Sequence, residues 1–194
     1  MQPDATTLVH GPIPLFDVAL KGIELGYRQC FRSLPPELDQ HHILCETYDF
    51  LGIRVLDGVV LDNIIKDLKA GKTDYELEYK YYKAVKGNKS KARDAAYKLL
   101  NLLLVGTFEN ENKDAAKIFN AVLFVLSHSA TFKLRTRAVV RAAYEERFVL
   151  TPKQISGLDK WPVGKETEDD VEDDVTTEVE EFSDHDYDSD YDFY

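Results

Sequence analysis

Apolar residues recur along much of this chain at intervals of three and four, the spacing that gathers side chains on one face of a helix. The series Leu15, Val18, Ala19, Ile23, Tyr27 and Phe31 predicts a first long helix, ended by Pro35 and Pro36. Gly22 and Gly26 weaken it if exposed, or let a neighbour approach closely if buried. A short helix is expected over residues 37–45. A stronger one over 47–70 has Leu56, Val59, Val60, Ile64 and Leu68 opposite Asp57, Asp62, Lys66 and Lys69, with Gly71 as its stop.

Thr73 and Glu76 have capping-box spacing and open a helix that reaches Tyr82 or Val85. Ser90 is the expected cap of the next, which stops at Gly106. Its broad apolar face is Ala92, Ala95, Ala96, Leu99, Leu100, Leu103 and Leu104. A helix beginning at Asn112 or Asp114 is apolar nearly all round, which places it at the centre of the core. The last, over residues 132–148, turns Val139, Val140, Ala143 and Tyr144 inward. Period-two alternation is nearly absent; residues 53–55 are the one stretch with strand character, and they sit inside a helical pattern. The fold class is therefore all-α: a single compact domain of six or seven helices over residues 15–150, after an extended lead-in (1–14) and before a linker (151–165).

Charge changes this picture at the C-terminus. Residues 166–194 hold 15 of the chain's 35 Asp and Glu residues, no Lys or Arg, and the aromatics Phe182, Tyr187, Tyr191, Phe193 and Tyr194. The remaining 165 residues carry 24 basic against 20 acidic side chains, so the net charge of −11 describes neither part. Like-charge repulsion and scant apolar area predict a disordered acidic–aromatic tail. Its ending, Asp-Tyr-Asp-Ser-Asp-Tyr-Asp-Phe-Tyr, resembles the acidic, aromatic-ended tails of single-stranded DNA-binding proteins. In that family such tails recruit partners and restrain nucleic-acid binding. The resemblance stops there, because the body carries no sign of the family's β-barrel. Ser183 and Ser189 each precede an acid by three positions, the context acidophilic kinases select, and are the candidate phosphorylation sites.

The tail's counterpart is a basic segment. Lys80, Lys83, Lys86, Lys89, Lys91, Arg93 and Lys98 share residues 80–98 with a single acid, Asp94; Tyr79, Tyr81, Tyr82 and Tyr97 interleave. Lys133, Arg135, Arg137 and Arg141 form a second cluster, with Arg137 and Arg141 on one helix face. Cations neutralise phosphates, and aromatic faces stack unpaired bases, so Tyr79 and Tyr82 join these cations as the candidate nucleic-acid site. The competing reading is an ordinary solvated helix face with its tyrosines in the core.

Other chemistry is poorly supported. His41, His42, Cys45 and Cys30 match no zinc-finger spacing, so no metal is expected. The residues around Gly71-Lys72-Thr73 lack the leading glycine of a phosphate-binding loop, and Ser127-His128-Ser129 has no triad partner. No cofactor is implied and an enzyme is not expected. No apolar run reaches membrane-spanning length, and the N-terminus lacks a signal-peptide pattern, so the chain reads as intracellular, cytoplasmic or nuclear. The expected function is a regulatory or accessory binding protein. Its body contacts RNA or single-stranded DNA, and its tail modulates that contact or recruits a basic protein. The alternative is a protein–protein adaptor acting through the tail, with no nucleic-acid role.

Overall fold

A computed structural model describes residues 11–70, 88–108, 111–161 and 163. The chain divides into two units, Met1–Gly164 and Lys165–Tyr194, and every described residue belongs to the first. The acidic–aromatic tail and the expected helix after Thr73 lie outside the described residues. Among those described there are eight helices and no strand. They are α1 (Phe16–Leu25), α2 (Arg28–Ser33), α3 (Leu38–Phe50), α4 (Leu61–Lys69), α5 (Lys89–Val105), α6 (Glu111–Ser127), α7 (Leu134–Arg147) and α8 (Pro152–Asp159). The body is all-α.

Three departures from the sequence pattern have local causes. The first expected helix is broken at Gly26, whose φ of +95° lies in the left-handed region that only glycine enters cheaply. The expected helix over 47–70 is two helices. Its first residues extend α3, Gly52 turns the chain at φ +69°, and pairing resumes only at Leu61. The expected linker contains α8, started by a capping box. Thr151 Oγ1 accepts from the backbone N–H of Gln154, and the Gln154 side chain accepts from the Thr151 N–H. Leu158 on α8 is fully buried.

The core centre is α5 rather than α6. Helix α5 touches α2, α3, α4 and α7, and buries Ala92, Ala95, Ala96, Tyr97, Leu99, Leu100 and Leu103. Its first half is lined by alanines, which lets its neighbours come close; its second half is lined by leucines, which fill the space between them. Ile118, Val122 and Val125 of α6 and Val139 and Val140 of α7 pack into the same core, as do Ile64 and Leu68 of α4. Fully burying each such side chain contributes roughly 1.5–3 kcal/mol, so this shared core, not helix propensity, holds the bundle.

Candidate nucleic-acid interface

Helices α5 and α7 lie side by side in the same direction, and two arginines fix that alignment. Near the start of α5, Arg93 Nε donates to the carbonyl of Thr131, just ahead of α7, at 2.8 Å. At the far end, Arg147 closes α7 and donates to the Leu103 and Gly106 carbonyls at the end of α5, at 3.2 and 2.8 Å. These carbonyls belong to the negative end of the α5 dipole, so the cation also suits its position electrostatically. Arg147 further lies 5.0 Å over the Phe108 ring.

The described beginnings of the two basic clusters thereby meet at one end of the bundle. Lys89, Lys91 and Arg93 occupy the opening turns of α5, where Asn88 Oδ1 accepts from the Lys91 N–H at 2.8 Å as the N-cap. Lys133 is the N-cap residue of α7, and Arg135 and Arg137 sit in its first turn. Neither first turn contains an acid. Cations at a helix N-terminus oppose the dipole, a cost of about 0.3–1 kcal/mol each, and the combined field of both helix ends is favourable to an anion. Lys89 and Arg135 are exposed, whereas Nε of Arg137 is buried without an acceptor.

Three candidates are paired or partly buried. Lys91 pairs with Asp67 of α4 at 2.9 Å. Lys98 is half-buried about two turns along α5. Arg141 is engaged elsewhere: it donates to Glu145 at 2.8 Å, to Asp159 at 2.7 Å and to the Leu158 carbonyl, anchoring α8. Tyr97 is no stacking platform, because it is fully buried and itself stacked on Tyr27 with centroids 5.5 Å apart. Tyr79, Lys80, Tyr82, Lys83 and Lys86 lie outside the described residues, as do Phe182, Ser183, Tyr187, Ser189, Tyr191, Phe193 and Tyr194.

The cysteines and histidines occupy apolar surroundings. Cys30 Sγ and Tyr48 Oη are 3.4 Å apart, and Cys45 accepts from Asn101 Nδ2 at 3.4 Å. Burial pushes both thiols up to about 11, away from the nucleophilic thiolate. His41 is buried against Phe31 with neither ring nitrogen hydrogen-bonded. Among the described residues no three His, Cys, Asp or Glu side chains come together as a metal site, and no helix is long and apolar enough to cross a membrane.

Compared with known proteins, the chain matches no family model, no curated protein and no solved structure.

Proposed function

We propose that the helical body is a non-enzymatic regulatory or accessory binding module. Its basic end takes RNA or single-stranded nucleic acid, and the acidic tail modulates that contact or recruits a basic partner. The observation that supports this reading is the parallel pairing of α5 and α7. It gathers Lys89, Lys91 and Arg93 beside Lys133 and Arg135, although some forty residues separate the clusters in sequence. Lys86 lies only three positions before Lys89 in the chain, so residues 80–86 continue the same basic run in sequence. A polyphosphate backbone is recognised by such a group because each neutralised phosphate releases a counterion. The 15 acids of residues 166–194 carry the same sign as phosphate, and in this reading they compete for the same cations.

The test is fluorescence anisotropy of labelled single-stranded and duplex RNA and DNA across a salt series, with the full chain and a chain ending at Lys165. Binding that weakens steeply with salt, tightens on truncation and drops by about tenfold or more in Lys89→Glu/Arg135→Glu is the expected result. If neither chain binds at low salt, the adaptor reading replaces this one.

A further inference from the structure

An open pocket of about 300 Å³ lies where the end of α3, the chain between α3 and α4, and the second half of α5 meet. Cys45, Tyr48 and Asp49 line it from α3, Asn101 and Val105 from α5, and residues 53–58 form the third side. A tight turn holds that third side. The Val59 N–H donates to the Leu56 carbonyl at 2.7 Å, and Asp57 and Gly58 between them have φ of +40° and +75°. Positive φ at both central positions is the type I′ turn, for which Asp-Gly is a preferred pair. Val55, just before the turn, is buried in the core and anchors this wall.

The pocket combines a buried amide with charges of both signs. Asn101 is 5% exposed, and its Nδ2 donates to Cys45 Sγ at 3.4 Å, a weak acceptor. Among the described residues nothing donates to its Oδ1, so a buried acceptor of the pocket calls for a donor from outside the chain. Asp49, Arg54 and Asp57 also line the pocket, and all three are exposed. Among the described residues none of the three is in an ion pair, with one another or with any other side chain. Opposite charges therefore share the pocket without neutralising each other. Ile53, Leu56 and Val105 supply its apolar surface.

From this we infer that the pocket binds a free amino acid with an apolar side chain. Such a molecule carries both charges on one carbon and is small enough for this cavity. Its ammonium group supplies an N–H donor for Asn101 Oδ1 and a counter-charge for the Asp49 and Asp57 carboxylates. Its carboxylate takes the planar donor fork of Arg54, and its side chain packs on Ile53, Leu56 and Val105. An amine alone leaves Arg54 unmatched, and a carboxylate alone is repelled by two acids, so the lining selects the zwitterion. No lining residue belongs to either basic cluster, so this site and the basic end stand or fall separately.

The experiment is an NMR titration of the isotopically labelled full chain with L-leucine, L-valine and L-phenylalanine, each up to about 10 mM. Isoamylamine and 4-methylpentanoate, the leucine skeleton with one charge removed, are the controls. Saturable shifts at Ile53, Leu56, Asn101 and Val105 are expected with at least one of the amino acids. Both controls should bind about tenfold or more weakly by comparison. Arg54→Gln and Asp57→Asn should each weaken binding by about tenfold. Both positions are exposed, and Asn accepts the positive φ of the turn, so the fold is kept. No saturable shift with any of the three amino acids would overturn the inference. So would isoamylamine binding as tightly as the amino acid, which would make the pocket a plain cation site. Unchanged affinity in both variants would sink it as well.

Discussion

Asp94 accepts two hydrogen bonds from Arg28, one from its backbone N–H at 2.7 Å and one from its guanidinium at 3.2 Å. Arg28 is the first residue of α2, and no side chain of α2's own N-cap residue, Tyr27, serves that end. A carboxylate on α5 therefore caps a helix 66 positions away, satisfying an orphan donor and facing the positive end of the α2 dipole. This accounts for the single acid within the basic segment: Asp94 ties α2 to the central helix. Asp94→Ala is expected to cost about 1–2 kcal/mol, measured as a lower urea midpoint. Asp94→Asn, which keeps an acceptor, should recover part of the loss.

Gly22 offers a sharper packing test. It is buried on α1, and a β-carbon there would collide with the Tyr48 hydroxyl and stand 2.9 Å from Cys30 Sγ. Tyr48 has no room to retreat, because it is 1% exposed and its hydroxyl donates to the Ala19 carbonyl at 3.3 Å. Gly22→Ala improves helix propensity by roughly 1 kcal/mol yet is expected to be destabilising overall, by about 1–3 kcal/mol. Equilibrium denaturation checks the sign. Tyr48→Phe in the same background should recover part of the loss by removing the colliding oxygen.

Burial lowers the His41 imidazole to about 4; neighbouring His42 adds to the lowering and the Pro35 backbone opposes it in part. Because the folded value lies below the ordinary value near 6.5, the unfolded chain binds the proton more readily. The folded state's advantage is complete above about pH 6.5 and is lost as pH falls toward 4. The loss amounts to about 3 kcal/mol over that window. His41→Leu removes a buried polar ring whose nitrogens have no hydrogen-bond partner, so it should be neutral or stabilising at pH 7. Denaturation midpoints for both chains between pH 4 and 7 test this: the variant's curve should be flatter by the amount His41 contributes.

Helix identity was legible wherever one apolar face persisted. Val139, Val140, Ala143 and Tyr144 are buried as their spacing requires, and so are Leu99, Leu100 and Leu103. Breaks were less legible, because periodicity continues across Gly26 and Gly52 while the backbone there takes positive φ. The Thr151/Gln154 spacing that starts α8 was readable, but the apolar residues after it are too sparse to announce a helix. At the basic end the sequence supplied the residue types and not their adjacency. Arg93 and Lys133 come together only because α5 and α7 run parallel, a tertiary fact with no local signature. Nor does spacing reveal which cations are already engaged. Arg137 and Arg141 share the pattern, yet Arg141 pairs with Asp159, eighteen positions beyond it, a contact that local spacing does not announce.

That distinction yields the last prediction. Arg141 is only 21% exposed and joins α7 to α8 through Glu145, Asp159 and the Leu158 carbonyl. Its pairs are partly solvated, so Arg141→Ala should cost about 1 kcal/mol, concentrated in α8 rather than spread over the bundle. Hydrogen exchange should show faster exchange for amides of α8, with α5 and α6 unchanged. Oligonucleotide affinity and its salt slope should stay as they are, since the Arg141 guanidinium already has carboxylate partners. Arg135→Ala should show the reverse: little change in α8 exchange and a salt slope reduced by about one phosphate contact. If Arg141→Ala weakens binding as much as Arg135→Ala while α8 stays protected, the interface extends down α7 and the Asp159 pair yields to phosphate when nucleic acid is bound.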